Sequence, residues 1–399
     1  MTGYVHWELK VFFSNRKNII LFILLLLASL YYALYLAPNY QPIESINKNE
    51  IEARYEDRQE FLDNVVIREG SHPLTVFAYQ IFPEWNEYDG ARLDALATGD
   101  LHTYAEATQH WYSYSDEIIY PSGQDSFLRY TTGYYTYGNR FSHSDGHYAY
   151  LSSAERYREY ANASYDVSIQ IFEERTALQT LQRLLASSLP YIILIVCLFL
   201  SNDIVMKDRH HLSIVNGFPL TPFKRLMLKG VVALLGSLTS LVVLIPSFLI
   251  IGFREGFGTL SLPVVRYHFE FLNLGTYESI SMGLFLVQSF VMMLLWFTII
   301  ISLVLLMSIV LKNEFINLTI GIIFFIEATY YQRGAIIDAW LSYLPTSYIQ
   351  IGNIVSGYRQ YILAIDSVTI IKGQLVLLAA ALLIILLIWF ISRIKRLAI

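Results

Sequence analysis

The sequence predicts a mainly α, polytopic membrane protein with six transmembrane helices and one large domain between the first two. Hydrophobic residues make up 55% of the 399 residues and charged residues only 15%, which is typical of multi-pass membrane proteins rather than of one soluble globule. Six apolar runs reach the roughly 20 residues that cross a ~30 Å hydrocarbon core. Lys and Arg concentrate in alternate connecting segments, and this asymmetry predicts which side each segment faces.

Residues 1–37 predict an interfacial elbow helix followed by the first span. The stretch YVHWELKVFFSNRKN mixes Trp7, Val11 and Phe12 with charged residues, as a helix lying in the membrane interface does. The apolar run Ile19–Ala37 is long and lacks a small-residue cleavage site. We therefore expect a retained membrane anchor rather than a cleaved signal peptide.

Residues 38–184 predict a mostly helical extracellular domain of ordinary size. Three stretches repeat apolar residues at helical spacing: IESINKNEIEARYEDRQEFLDNVV, DGARLDALATGDLHTYAEATQHWY and SIQIFEERTALQTLQRLLASSLP. We expect the last to continue unbroken into the second span. The domain holds 17 of the chain's 30 tyrosines, for which core packing is the expected role and substrate contact the alternative. Cys197 is the sole cysteine, so no intrachain disulfide can stabilise the domain.

One short stretch of this domain, RFSHSDGHY, carries residue types that bind metals. His143, Asp145 and His147 alternate, so on a β-strand they would share one face and could bind zinc. The Ser-Asp-Gly centre instead favours a turn, which would separate them. We therefore predict no metal site here.

Five further spans are predicted within residues 185–399. The fourth span of the chain is overlong and is expected to tilt or to extend beyond the bilayer. The five runs are Leu185–Ser201, Val231–Ile251, Met282–Leu311, Phe315–Tyr331 and Gly373–Ser392.

The distribution of basic residues predicts the orientation. With the N-terminus inside, the inner segments hold twelve Lys and Arg residues, and the two short outer loops hold five. An excess of Lys and Arg in short loops marks the cytoplasmic side. We therefore expect a multi-pass protein of the cell (plasma) membrane with both termini in the cytoplasm.

A charged segment at about residues 203–229 separates the second and third spans. Its first part alternates apolar and polar residues, as an interfacial helix does. Asn216 and Gly217 predict a left-handed helix end, and Pro219 keeps the helix from continuing. A Thr-Pro pair at 221–222 then predicts the N-cap and first turn of the third span. The sequence thus predicts a short helix at the inner face, a sharp corner and re-entry into the membrane.

The other polar residues of this segment have simpler predicted roles. Lys224, Arg225 and Lys229 are expected at headgroup level, with their charged ends in water. His210 and His211 are adjacent, so on a helix they point about 100° apart. We expect them to be surface residues rather than joint metal ligands.

This order of elements resembles a type-2 ATP-binding cassette (ABC) exporter permease with a large extracellular domain. In that family the cytoplasmic helix after the second span is a coupling helix that inserts into the ATPase subunit. The family often has an acidic residue, a Gly-Thr pair and a Leu-Pro turn there; Asp208 and GFPLTP match, whereas the Gly-Thr pair is absent. The resemblance implies that the residues that dock on the ATPase are Asp208, Arg209, His210, His211, Asn216, Gly217 and Pro219.

A second resemblance lies in YLPTSYIQIGNIVSGYRQY, from Tyr343 to Tyr361. Members of that family often carry a similar stretch between the last two spans, and it forms short re-entrant helices at the outer face. The resemblance implies such a segment at about residues 333–372. Irregular backbone at membrane depth must be buried in protein or line a cavity. An ordinary amphipathic outer loop is the alternative.

Two polar residues interrupt the apolar runs and are candidates for a substrate path. Glu327 lies in the fifth run, where an intramembrane carboxylate costs about 2.5–3.5 kcal/mol and is a functional candidate by default. A carboxylate at the membrane interface is the alternative. Gln288 lies in the fourth run, and an interhelical hydrogen bond is the alternative for it.

The motifs that are missing restrict the chemistry of the chain. It has no G-x-x-x-x-G-K-[ST] phosphate loop, so we expect no enzyme activity and no bound cofactor in this chain, with ATP and Mg on a partner ATPase. Two permeases, identical or homologous, are expected to form a dimer in membrane lipid. The chain has no cluster of Lys and Arg residues that would indicate nucleic-acid binding.

The function implied by the resemblance is outward movement of an amphiphile, driven by the separate ATPase. Peptides, lipids and drugs are the substrate classes, and self-protection against antimicrobial peptides is one context. Two alternatives remain open: an ABC-coupled extracellular sensor, and a membrane-embedded enzyme with an extracellular domain. For the enzyme, the sequence shows no motif that pairs a nucleophile with a base.

Overall fold

The computed structural model describes residues 2–123, 127–210, 217–270, 275–323 and 339–394. These residues are mainly helical, as predicted. Within them, five helical segments are long and apolar enough to cross a membrane, which supports a multi-pass membrane protein. They are Arg16–Leu36, Leu189–Asp208, Pro222–Glu255, Met282–Leu311 and Ile370–Ile391. Below they are called the first, second, third, fourth and last spans.

The secondary-structure elements follow one another in a simple order. The α-helices are α1 (Thr2–Phe13), α2 (Arg16–Tyr31), α3 (Lys48–Asn64), α4 (Pro73–Thr98), α5 (Leu101–Ser122), α6 (Ser142–Ala161), α7 (Ile169–Phe172), α8 (Ala177–Leu185), α9 (Leu189–Ser201), α10 (Pro222–Val242), α11 (Ile245–Glu255), α12 (Met282–Leu311), α13 (Glu314–Asn317), α14 (Ile351–Val355), α15 (Tyr358–Leu363) and α16 (Ile370–Ile391). A π-helix, Tyr32–Leu36, extends α2. Two strands are β1 (Pro263–His268) and β2 (Thr276–Ser281).

The predicted fifth span, Phe315–Tyr331, remains a prediction. The described part of this run contains α13 and a 3-10 helix, Leu318–Gly321. Residues 324–338, which include Glu327, lie outside the described residues.

One span boundary differs from the prediction. The helix before the second span does not run into it: α8 ends at Leu185 and α9 begins at Leu189. A local cause is Pro190 in the first turn of α9, because a proline has no N–H to donate to the carbonyl of Ala186, four residues earlier, and so interrupts a continuous helix. The third span begins at Pro222, where the Thr-Pro pair at 221–222 predicts its first turn, and Thr221 caps it through its side-chain oxygen.

Residues 38–184 fold as a helical unit whose core is rich in tyrosine. Tyr104, Tyr157 and Tyr160 are almost completely buried, and their rings pack within 5.4–5.6 Å of Phe172. Core packing is therefore the role of these tyrosines. Burial of these aromatic rings stabilises the unit by packing.

A β-hairpin connects the third and fourth spans, and the sequence analysis missed it. Its antiparallel strands pair Tyr267 with Tyr277. The signal was present in β-branched and aromatic residues alternating with polar ones, but a search for apolar runs does not detect it. The hairpin is hydrogen-bonded to the segment before the last span. The Tyr267 amide donates to the Ser356 carbonyl at 2.9 Å.

The segment 339–363 consists of short helices buried against the spans. Tyr348 and Ile351 are fully buried, and the Trp296 indole of the fourth span donates to the Tyr348 carbonyl at 2.9 Å. Irregular backbone enclosed in this way meets the requirement for chain at membrane depth. An ordinary amphipathic loop would leave these side chains exposed.

Candidate functional site

The elbow helix α1 packs along the third span through one stripe of side chains. Tyr4, Glu8 and Phe12 are buried at a spacing of four, which places them on one helix face. Phe12 lies against Gly236, where any side chain would overlap its ring. The elbow helix and the third span are therefore in close contact.

A buried ion cluster forms where α1 meets the third span. The Lys229 ammonium lies 2.5 Å from Glu8 Oε1 and 2.8 Å from Asp208 Oδ1, and it donates to the Ile204 carbonyl at 3.0 Å. All three charged residues are less than 5% exposed. The expectation that Lys229 reaches water at headgroup level is therefore wrong, because two carboxylates hold it inside the protein.

Little empty space remains around the charged groups of this cluster. A cavity of about 20 Å³ lies between Glu8, Asp208 and Lys229, which is room for one water molecule. Burial, with the Glu8 and Asp208 carboxylates nearby, raises the pKa of the adjacent Tyr4 hydroxyl well above its usual range. Tyr4 therefore remains a neutral phenol beside the carboxylates at physiological pH.

Asp203 ties the same segment to the start of the first span. Its carboxylate binds Lys17 at 2.7 Å and Lys207 at 3.0 Å, and the Asn15 amide donates to it at 3.2 Å. Asn15 also caps α2 through its side chain. The junction between the elbow helix and the first span is thereby fixed to the end of the second.

Hydrogen bonds through Asn317 connect the same segment to the fourth span. The Asn317 side-chain amide donates to the Asn202 carbonyl and to Ser308 Oγ, at 2.8 Å in each case. Ser308 lies in α12. Residues 202–208 are thus bonded to the elbow helix, the first span, the third span and the fourth span.

The predicted corner contacts the elbow helix through a residue that was not predicted. Phe218 packs edge-on against Tyr4, with ring centroids 5.0 Å apart, and lies 6.1 Å from Trp7. Its neighbours Gly217 and Pro219 are exposed, so this part of the corner is available to a partner.

The remaining residues predicted to dock on the ATPase have different positions. Asp208 points inward to Lys229 rather than to a surface. Arg209 and His210 belong to a 3-10 helix, Met206–His210, which replaces the start of the predicted α-helix. His211 and Asn216 lie outside the described residues.

Gln288, a predicted substrate-path residue, holds the hairpin instead. The Arg266 guanidinium donates to Gln288 Oε1 at 2.6 Å and to the Val355 carbonyl at 3.1 Å. Among the described residues, Gln288 therefore bonds to Arg266 of strand β1 rather than to another helix. Its companion Glu327 lies outside the described residues.

The helical domain joins the spans through a group of tyrosines. Tyr148 of α6 stacks on Tyr361 at 4.3 Å and lies 5.3–5.7 Å from Tyr267, Tyr277 and Tyr358. Burial raises the pKa of the Tyr148 hydroxyl. We call these five residues the tyrosine joint. It connects the domain to both the hairpin and the segment before the last span.

A cavity of about 360 Å³ lies beside the tyrosine joint. Tyr148, Tyr358 and Tyr361 form part of its wall, and Glu44 and Arg156 form another part. Arg156 binds Glu44 at 2.8 Å and Glu174 at 2.6 Å. The volume of this cavity falls in the range of small-molecule sites.

The candidate metal residues lie on a helix rather than on a strand or in a turn. His143, Asp145 and His147 belong to α6; Gly146 lies in the same helix, and any side chain there would overlap Tyr130. His147 Nδ1 donates to Asp116 at 2.9 Å. Among the described residues, no group of three or more His, Cys, Asp or Glu side chains could hold a metal ion.

A second large cavity, of about 370 Å³, lies between the first three spans and is lined almost entirely by apolar side chains.

Comparison of the chain with protein-family models, curated proteins and solved structures finds no match.

Proposed function

We propose that this chain is the permease subunit of an ABC exporter that moves an amphiphile outward across the plasma membrane. ATP hydrolysis would occur on a separate ATPase subunit, and a second permease, identical or homologous, would complete the dimer. In this proposal the helical domain is extracellular, and residues 202–229 face the cytoplasm. The support is the sequence resemblance together with the bonding of residues 202–208.

The bonding of residues 202–208 is the observation that carries the proposal. A subunit that docks beside these residues would push on Asp203 and Asp208. Asp203 is bonded to the first span, and Asp208 is bonded to Lys229 of the third span, which also binds Glu8 of the elbow helix. Because buried ion pairs resist separation, a displacement of this segment would move several spans together. That is the mechanical property that a coupling element requires.

The exposed part of the corner offers a surface on which an ATPase could dock. Gly217 and Pro219 are exposed beside Phe218, which is held by the elbow helix. A partner that contacts this corner would therefore act on a fixed point rather than on a loose loop.

The proposal can be tested with the chain and an ATPase encoded beside it. The two proteins are co-purified and reconstituted into liposomes, and ATP-driven movement of a fluorescent lipid analogue is measured. Pro219→Arg should preserve insertion and thermal stability but reduce co-purification and transport together, because it places a bulky charge at the docking surface. Lys224→Gln, a change at an exposed residue of the adjacent helix, is the matched control. Transport that needs no ATPase, or a silent Pro219→Arg variant, contradicts the proposal.

An ABC-coupled sensor is a second candidate, and the cavity beside the tyrosine joint favours it. A ligand bound between Arg156 and Tyr361 would touch both the helical domain and the segment before the last span. Such a ligand would signal through the same spans without crossing the membrane. The liposome assay separates the two functions, because a sensor changes ATP hydrolysis without moving the lipid analogue.

A further inference from the structure

A small cavity inside the helical domain lies where α3, α4, α5 and α6 meet the chain that leads into α3. Its volume is about 110 Å³. Ser45, Asn47 and Glu50 line it and are exposed, so the cavity opens to the surface of the domain. Glu44 and Tyr134 line both this cavity and the larger one beside the tyrosine joint, and they therefore lie between the two. We call the smaller one the arginine cavity, because two arginines form part of its wall.

Three helices each bring to the arginine cavity an N–H donor that has no acceptor. Arg54 of α3, Arg92 of α4 and Trp111 of α5 line the cavity. Among the described residues, the Nε–H groups of both arginines and the indole N–H of Trp111 are buried without a hydrogen-bond acceptor. Arg92 as a whole is only 9% exposed. Buried donors without acceptors are unfavourable and few in native proteins, so three of them around one cavity indicate a ligand that supplies acceptors.

Positive charge around these donors favours an anion over water as the missing acceptor. The guanidinium carbons of Arg54 and Arg92 lie 5.6 and 5.4 Å from the centre of the Trp111 ring, so two cations lie beside one indole. Arg92 binds the fully buried carboxylate of Asp89 at 2.9 Å, and Arg58 binds the same carboxylate at 2.7 Å. One buried acid is thus shared between two arginines before Arg54 is counted. A ligand with a negative charge would balance this excess.

The acids near the cavity limit how negative the ligand can be. Glu50 binds Arg54 at 3.3 Å, but its side chain is 62% exposed, and a solvated ion pair of this kind is weak. Glu44 lines the cavity and is held by Arg156 at 2.8 Å and by the Tyr134 hydroxyl at 2.7 Å. Because both carboxylates stay close to the site, they favour a ligand with one negative charge over a ligand with two.

We propose that the arginine cavity binds a small monocarboxylate whose oxygens accept hydrogen bonds from Arg54, Arg92 and Trp111. The planar donors of a guanidinium match the two oxygens of a carboxylate. A cavity of about 150 Å³ holds benzene, so a volume of about 110 Å³ admits an acid of about four or five heavy atoms, such as acetate or propionate. This site goes beyond the proposed function. It concerns binding alone and needs no ATPase, so its failure and the failure of the proposed transport function are distinguishable.

The test uses the full chain, purified in a non-ionic detergent without any ATPase and studied near neutral pH at constant ionic strength. Binding is measured by fluorine NMR as broadening of the ligand line, with fluoroacetate, neutral fluoroacetamide and doubly charged monofluorophosphate as probes of similar size. We expect fluoroacetate to broaden and to sharpen again with excess acetate, fluoroacetamide not to broaden and monofluorophosphate to bind more weakly. Equal broadening of fluoroacetate and fluoroacetamide would overturn the proposal. Tighter binding of monofluorophosphate would overturn the assignment to a carboxylate.

Variants then locate the site. Arg54→Gln should weaken fluoroacetate binding about tenfold, equivalent to about 1.4 kcal/mol. The matched control is Arg68→Gln, at an exposed arginine of the same domain, which should leave binding unchanged. Trp111→Phe keeps an aromatic ring but removes the indole N–H, so it should also weaken binding, and it gives the same test if Arg54→Gln does not fold. Unchanged binding by a folded Arg54→Gln or Trp111→Phe variant, or an equal loss in Arg68→Gln, would overturn the proposal.

Discussion

Lys229 is the residue on which the inner junction depends. Its ammonium group bonds to Glu8 of the elbow helix, to Asp208 at the end of the second span and to the Ile204 carbonyl. Hydropathy indicates that a lysine near the start of a span can reach the headgroups, but it gives no information on partners distant in sequence. Lys229 was therefore predicted to be exposed, although the acid Asp208 was recognised as important.

Replacing Lys229 by Met should strongly destabilise the protein. The change leaves Glu8 and Asp208 as two buried carboxylates without their cation, and loss of one partner from a buried ion pair costs about 3–5 kcal/mol. Thermal unfolding followed by intrinsic fluorescence in detergent measures the effect. Lys224→Met, at an exposed residue one helix turn earlier, should cost less than about 0.5 kcal/mol.

A compensated variant tests the cause of that loss. Neutralising all three groups, by Glu8→Gln, Asp208→Asn and Lys229→Met together, removes the uncompensated charge and should restore much of the stability. If the triple variant is as unstable as Lys229→Met alone, packing rather than charge explains the effect.

At the scale of elements, the sequence predicted what local chemistry specifies. The start of the third span at Thr221 and Pro222 was readable, because an N-cap hydroxyl and a proline in the first turn have local signatures. The break between α8 and α9 was not predicted, although it also has a local signature: Pro190 lies in the first turn of α9, and a proline interrupts a continuous helix. The hairpin was missed because its strands are too short and too polar to form an apolar run.

The contact between the elbow helix and the third span depends on a glycine. Gly236→Ala should displace the elbow helix, because the added methyl group would overlap the Phe12 ring, and overpacking of this kind costs about 1–3 kcal/mol. Gly3→Ala is the matched control, since the space around Gly3 is open. Limited proteolysis near Ser14 should accelerate in the Gly236 variant and not in the control. Equal protection of both variants would show that Phe12 can move aside without undocking the helix.

At the scale of the whole molecule, two joints connect the membrane-spanning region to the elbow helix and to the helical domain. Residues 202–208 join the elbow helix to the first, third and fourth spans, and the tyrosine joint connects the helical domain to the hairpin and to residues 358–361. The multi-pass character was predictable from composition and apolar runs, and five of the six predicted runs coincide with long apolar helices among the described residues; the run Phe315–Tyr331 stays a prediction. The joints were not predictable, because each one assembles residues from at least three segments that are distant in sequence.

The orientation of these joints in the membrane can be tested directly. Cys197 is fully buried, so the unmodified chain should give little background with a membrane-impermeant maleimide. Ser144, at the start of α6, and Lys224, at the start of the third span, are both exposed. If the helical domain is extracellular, Ser144→Cys should be labelled in intact cells, and Lys224→Cys only after the cells are permeabilised. The basic residues near Lys224 predict this result, because positively charged short loops stay in the cytoplasm. The reverse pattern would place residues 202–229 outside the cell, where no ATPase could reach them, and would exclude the proposed coupling.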